Sequence, residues 1–391
     1  VKRSNAIKRA VIEVWPLLGL CAAVTAVSLG LEGPGAALNE GVELGLIYLI
    51  MVVGLYVFVG LTGVVSFGQV SFMGVGAYVC AMFTMPQVSK AVFIPGAPSI
   101  FRDFELNTTE GVLAGAAVAV VLAVIVSFPL MRLSGIGASI GTLALLMITY
   151  TFFNSWTPGP SGGGNLTMIP EDMTVGKLLV WSVVILVVVY LYQRSRFGLR
   201  ARASGEDEVA ARAVGINIGR ERRIAFVLSA GIFGAAGGLY GHYLGSFSAG
   251  DFYLSLTFVS LAMLVFGGSR SLFGAVLGSG LLSALSYVVT QWENGSSAFG
   301  ITLSVPTGTS DLTFAVVLIL VLLFLPDGLT KGRELPFPHF ALHGGWPLGG
   351  ARRRIGEGGP PAGLVAQAGV VASVAGSVDH GVHGSPTGDE E

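Results

Sequence analysis

Apolar residues fall into ten long blocks along the chain, at 11–31, 42–61, 64–85, 111–131, 136–153, 175–192, 224–245, 252–269, 272–291 and 311–326. About 20 apolar residues make one helical crossing of a bilayer. The pattern therefore predicts an all-α fold, a polytopic transmembrane helical bundle of about ten spans. The third and ninth blocks are the least regular. An even number of crossings places both termini on one side.

Composition supports that expectation. The 391 residues are 52% hydrophobic and only 12% charged, with a mean hydropathy of +0.75. A soluble domain keeps more polar residues to cover its outside. A soluble enzyme, a disordered scaffold and a disulfide-rich secreted domain are excluded. The net charge of -1 gives no reason to expect a nucleic-acid partner.

Basic residues orient the bundle, because Lys and Arg collect on the cytoplasmic side. With the N-terminus inside, nineteen of the 22 Lys and Arg residues lie in inside segments, and only Lys90, Arg102 and Lys177 lie outside. Both N and C termini are thus expected to be cytoplasmic. The first block follows the basic stretch VKRSNAIKRA with no small-residue cleavage site after it, and reads as an uncleaved span. The membrane domain is expected over 1–331, with a cytoplasmic loop at 193–223. Residues 332–391 are Gly/Pro-rich and read as a disordered cytoplasmic tail. Its basic run Arg352 to Arg354 suits anionic membrane lipid.

The apolar blocks hold almost no charge. Glu13, Glu43, Asp251 and Asp311 sit at block ends, within reach of water. Ion-coupled carriers and voltage sensors need ionisable groups inside the membrane, so neither class is favoured. No GxxxxGK[ST] loop, HExxH, GxSxG or paired intramembrane carboxylate is present. Cys21 and Cys80 lie alone in apolar runs and read as packing residues. No catalytic residue, metal ligand set or cofactor is expected.

Two segments are unusual for a plain bundle. In GLTGVVSFGQVSFMGVGAYV, residues 60–79, Thr62, Ser66, Gln69 and Ser71 are polar and five glycines weaken a continuous helix. Two readings stand side by side: tight helix packing with interhelical hydrogen bonds, and a broken helix lining a translocation pathway. The other segment is the loop SRFGLRARASGEDEVAARAVGINIGRERR, residues 195–223. Eight of the 22 basic residues lie between Arg194 and Arg223. Within it GEDEVAARAVGI predicts one short amphipathic helix, with Glu206, Asp207 and Glu208 at its N-terminus and Gly215 as its stop. Val209, Ala213 and Val214 would form its apolar face. An orientation signal needs no capped helix, so this loop reads as a docking element for a cytoplasmic partner.

Glycines four apart (Gly41/Gly45, Gly111/Gly115, Gly137/Gly141, Gly234/Gly238, Gly237/Gly241 and Gly274/Gly278) read as close helix packing. The outside segment FFNSWTPGPSGGGNL, residues 152–166, reads either as a flexible connection or as a rim facing a delivered ligand.

Taken in order, GLTGVVSFGQVSFMGVGAY, SGIGASIGTLALL, GPSGGGNL, the whole 194–245 stretch, VFGGSRSLFGAVLGS and FLPDGL resemble one family. They look like the inner-membrane permease subunits of high-affinity branched-chain amino-acid ABC transporters, in particular the M-type partner of the permease pair. The resemblance covers roughly 42–330 and is most specific over 194–245. It implies a permease without ATPase activity of its own. It also implies a homologous second permease forming a heterodimer, two cytoplasmic ATPase subunits, and a periplasmic or lipid-anchored binding protein. The location it implies is a bacterial or archaeal cell inner membrane. By the same resemblance, Glu206, Asp207, Ala210, Ala211, Gly215 and Ile216 would touch the ATPase, and the segment from Thr62 to Tyr78 would lie beside the route. Gln69 stands where a His is common in the family, and GGSRS is more basic than its usual turn. Urea or short-chain amide permeases, simple-sugar permeases and a stand-alone channel are the alternatives.

Overall fold

A computed structural model describes residues 17–30, 36–93, 105–133, 136–156, 164–293, 295, 306, 308–324 and 328–330. The expectations for residues 1–16 and for the tail lie outside the described residues. The helices are α1 (Leu17–Gly30), α2 (Ala36–Leu55, continued by a π-turn Tyr56–Gly60), α3 (Gln69–Thr84), α4 (Gln87–Phe93) and α5 (Thr108–Leu130). They continue as α6 (Ile136–Ser155), α7 (Val175–Arg194), α8 (Arg196–Glu206), α9 (Glu208–Ala213) and α10 (Ile218–Leu244). A 3₁₀ turn (Ala249–Phe252) then leads into α11 (Leu254–Gly267), followed by α12 (Leu272–Glu293) and α13 (Thr309–Phe324). No named strand occurs among the described residues; Leu166 and Phe247 form an isolated bridge.

Seven of these helices are long and apolar enough to cross a membrane. Two shorter apolar helices, Leu17–Gly30 and Gln69–Thr84, accompany them. Side-chain caps start several. Thr174 accepts from the Lys177 amide, and Asn217 from the Arg220 amide. The Glu110 carboxylate accepts the Asn107 amide one turn earlier. Each cap satisfies a backbone donor that the helix start leaves open. Gly245, at φ +65°, closes α10 in a conformation that an L side chain rarely adopts.

The centre of the bundle is α3, α5 and α10. Every residue of α3 except Phe83 is buried. Glycines let these helices touch backbone to backbone. A Cβ on Gly115 would stand 2.6 Å from the Gly76 carbonyl oxygen, and one on Gly234 2.6 Å from the Ala119 Cβ. Gly237 lies against the Met73 carbonyl, and Gly274 and Gly267 make the same kind of approach between α12 and α11. Without a hydrophobic drive between helices in lipid, such close packing is what holds them. On the outside, Val121, Ile125 and Phe128 of α5, Ile148 and Phe152 of α6 and Val180 and Leu191 of α7 are exposed. Large apolar side chains facing outward suit hydrocarbon and not water.

Contacts sort the loops between two ends. At one end Leu61 and Thr62 meet Gly205, Arg202 donates to the Arg270 carbonyl, and the Leu329 amide donates to Phe266. At the other, the Leu106 amide donates to Phe83, Thr108 donates to Asp172, and the Ile169 amide donates to Gly245. Helices α2 and α10 run antiparallel, since Phe58 packs on Phe226 while the Tyr243 hydroxyl reaches the Glu40 carbonyl.

Candidate functional site

The stretch between the π-turn and α3 is not helical. Residues 63–68 carry no regular structure, and α3 begins only at Gln69, not at 64 as the apolar block implies. Gly63 at φ +69° turns the chain, two helical residues after a π-turn, a feature frequent at functional sites. Exposed backbone groups find side chains instead. Phe67 donates its amide to Thr142, Ser139 donates to the Val65 carbonyl, and Thr62 donates to Phe58. The Ser66 hydroxyl accepts the Gly68 amide at 3.4 Å. Irregular backbone among membrane helices is tolerated where such partners exist.

Gln69 and Ser71, at the start of α3, differ from Thr62 and Ser66. Both are 1% exposed, yet neither polar atom of the Gln69 amide nor the Ser71 hydroxyl has a hydrogen-bond partner among the described residues. A buried polar group without a partner costs about 1–3 kcal/mol. Such groups call for an explanation such as water, an ion or a functional role.

The short helix expected within GEDEVAARAVGI is α9, which starts at the Asp207 cap and stops before Gly215 at φ +83°; a second helix, α8, precedes it in the loop. The Asp207 carboxylate accepts the amides of Val209 (2.8 Å) and Ala210 (3.0 Å), and so caps α9. An Asx cap needs extended backbone at that residue, which ends α8 at Glu206. Ion pairs tie the loop to the start of α10, Arg200 to Glu221 (3.6 Å) and Glu208 to Arg222, while Arg212 pairs with Glu208 one turn away within α9. Each of these two pairs to α10 has one buried member, Glu221 or Arg222, and loss of its more exposed partner would leave a buried charge uncompensated. The tip so held is exposed. Val209 and Val214 are 79% and 77% accessible, so they face outward instead of packing on the bundle. Glu206, Asp207, Ala210 and Gly215 are exposed as well, Ile216 is half-buried, and Ala211 is buried.

The structure brings the two candidate segments into contact. Gly205, in the last turn of α8, lies on the turn that begins the broken segment. A Cβ there would stand 2.8 Å from the Leu61 oxygen and 2.9 Å from the Thr62 oxygen. The π-turn is tied to the same loop, with the Tyr56 hydroxyl donating to Gln193 at 2.8 Å.

At the opposite end lies a polar group that the sequence reading passed over. His242 is 1% exposed near the end of α10. Its Nδ1 lies 2.8 Å from the Pro170 carbonyl, which requires a proton on that nitrogen, and Nε2 lies 3.0 Å from the Thr84 hydroxyl. Asp172 accepts from Thr108 (2.7 Å) and Lys177 (3.0 Å) and faces His242 at 3.6 Å. Burial pushes the Asp172 carboxyl up, but hydrogen bonds from Thr108 and Lys177 and the charges of Lys177 and His242 outweigh it, holding it below the ordinary carboxylate range. A lone His inside an apolar block gives no signal of this network. Nearby, Tyr78 stacks on Phe153 and donates to the Gly164 carbonyl, so both flanks of the Gly/Pro-rich segment are anchored. The segment between them, 157–163, lies outside the described residues. No group of three or more potential metal ligands occurs among the described residues.

Similar proteins are known. LivM, a high-affinity branched-chain amino acid transport system permease protein of Escherichia coli (strain K12), is 28% identical over 275 residues, 61% of this chain and 60% of that protein. The chain therefore spans less than two thirds of the length of this relative. The corresponding LivH of Salmonella typhimurium is 25% identical over 316 residues, 76% of this chain and 95% of that protein. The nucleoside ABC transporter permease protein NupC of Lactococcus lactis subsp. cremoris is 31% identical over 143 residues, 33% of this chain and 44% of that protein. No solved structure matches the chain. Residues 37–324 match the family described as "Branched-chain amino acid transport system / permease component".

Proposed function

The chain belongs to the branched-chain amino acid transport permease family, and from that premise we propose that it is one permease subunit of an ATP-binding-cassette importer. It is a multi-pass protein of the cell inner membrane. With a second, homologous permease it forms the pathway for leucine, isoleucine and valine. Salmonella typhimurium relatives named LivM and LivH support a paired arrangement. Two ATPase subunits bind on the basic side and supply the energy, and a periplasmic or lipid-anchored binding protein delivers the amino acid. The membrane domain covers 1–331 in ten spans with both termini cytoplasmic, and 332–391 is a cytoplasmic tail.

The observation that carries this reading is the contact of Gly205 with Leu61 and Thr62. It joins an exposed tip, built from Glu206, Asp207, Ala210, Gly215 and the flanking Val209 and Val214, to the broken segment holding Thr62, Ser66, Gln69 and Ser71. ATPase closure would push on the tip, α8 would pass the push to the 61–68 turn, and α3 would shift relative to α10. A partner changes the inward–outward balance only by binding the two states unequally. The exposed tip is where that inequality enters. A stand-alone channel has no use for a capped, ion-paired tip with two bare valines.

The test is uptake of labelled leucine, urea and uridine in cells lacking the gene, complemented with wild type or with Glu206→Lys. Loss of leucine uptake in the deletion, restored by wild type and not by inserted Glu206→Lys, is expected. Retained ATP-dependent uptake by Glu206→Lys sinks the docking role. Loss of urea or uridine uptake instead keeps the architecture and replaces the substrate; uridine is included because one relative is named as a nucleoside permease.

A further inference from the structure

A groove of about 1250 Å³ runs between α5, α7 and α10 and opens sideways onto the apolar surface of the bundle. Val124 and Phe128 of α5, Val184 and Val188 of α7, and Gly231 and Ala235 of α10 line it. Among the described residues its only charged lining residues are Arg220 and Arg223, both at the basic-loop end. Their neighbours in the loop, Arg200, Arg212 and Arg222, each pair with a glutamate. Arg220 and Arg223 pair with no carboxylate among the described residues. Arg223 is nevertheless held in place: its Nε donates to the Gly219 carbonyl at 3.2 Å, and its guanidinium lies 5.0 Å from the centre of the Phe128 ring.

The groove's length identifies its occupant. From Arg223 to Ala235 the helix rises about 18 Å at 1.5 Å per residue. One leaflet of hydrocarbon is about 15 Å deep, half of the roughly 30 Å core. Among the described residues the groove's lining reaches no farther than Ala235 on α10 and begins at Ala116 on α5, which is where it ends. A partner's transmembrane helix would need a groove through both leaflets. A lipid with a headgroup at the water interface and chains in one leaflet needs only this one. Basic pockets between transmembrane helices on the cytoplasmic side suit anionic headgroups.

We propose that this groove binds an anionic phospholipid of the leaflet on the basic-loop side, its phosphate on Arg220 and Arg223 and its acyl chains along α5, α7 and α10. Planar guanidinium groups match phosphate oxygens in pairs. The site stands next to the Asn217 cap that starts α10, so the lipid would bridge α5 to the base of the tip. Lipid in this groove does not depend on which substrate the pathway carries.

The test uses the intact permease complex, extracted in detergent and exchanged into phosphatidylglycerol or phosphatidylcholine, with retained lipid counted by native mass spectrometry. Wild type is expected to retain phosphatidylglycerol about tenfold better, and Arg220→Gln with Arg223→Gln should bring the two lipids level. Ala117→Trp, at an exposed position on the groove wall, should lower retention of both lipids. Arg194→Gln, a basic residue outside the groove, should change neither. Unaltered thermal midpoints show that the variants are folded. Equal phosphatidylglycerol retention by wild type and the double variant overturns the proposal. So does a photocrosslinker at Val188 that captures a protein chain, because a partner helix would then fill the groove.

Discussion

Replacing Gly205 with alanine tests the contact on which the coupling reading rests. The added Cβ would lie 2.8 Å from both the Leu61 oxygen and the Thr62 carbonyl carbon. Favourable separations between heavy atoms begin near 3.5 Å, so α8 and the 61–62 turn must part by roughly 0.7 Å. Both sides of the clash are backbone, and no side chain can rotate away. Overpacking of this kind costs about 1–3 kcal/mol. Alanine's better helix propensity returns up to about 1 kcal/mol, because Gly205 sits in the last turn of α8. The residual strain of about 0–2 kcal/mol falls on the interface between loop and broken helix. If it weighs on one transport state more than the other, the balance moves by up to roughly 30-fold. The assay is the complex in liposomes, measuring leucine uptake and ATP hydrolysis side by side. Leucine moved per ATP hydrolysed is expected to fall, by up to about 30-fold, while hydrolysis persists. Gly176→Ala, with nothing within 4 Å of the new Cβ, is the control and should match wild type. Wild-type uptake per ATP in Gly205→Ala would falsify the mechanical link.

Two other residues give separate outcomes. Gln69→Leu removes a buried amide that has no partner, so thermal stability should hold or rise, by at most about 1–3 kcal/mol, while uptake falls. A drop of several degrees in Tm with uptake intact would make Gln69 a packing residue instead. The Asp172 carboxyl is held below the ordinary carboxylate range in the fold, so its ionised form stabilises the loop before α7 above that range. That contribution is lost as pH falls through the lowered value. Asp172→Asn should therefore lower Tm at neutral pH and show a shallower loss of Tm below about pH 4 than wild type. Parallel pH profiles for the two proteins would remove Asp172 from the account.

The length of the apolar blocks was enough to read helices, because a bilayer core demands about 20 apolar residues whatever lies beside them. The same holds for the unusual character of 60–79 and 195–223, where glycines, hydroxyls and charges break the local pattern. Residue type also announced the close packing at Gly234 and Gly274, since only a missing side chain lets backbones meet. Tertiary structure decided the rest. That α3 starts at Gln69 and not at 64 depends on Thr142 and Ser139 drawing the 65–67 backbone away from a helix. The break at Asp207 is local in its hydrogen bonds, yet it persists with Glu208 held by Arg222 across the loop. Nothing in the sequence around His242 announces its partners, because Pro170 and Thr84 arrive from other parts of the chain. The meeting of Gly205 with Leu61 follows from no property of either segment. Periodicity and composition report what a stretch of chain would bury; which distant stretch buries it is settled only when the helices pack.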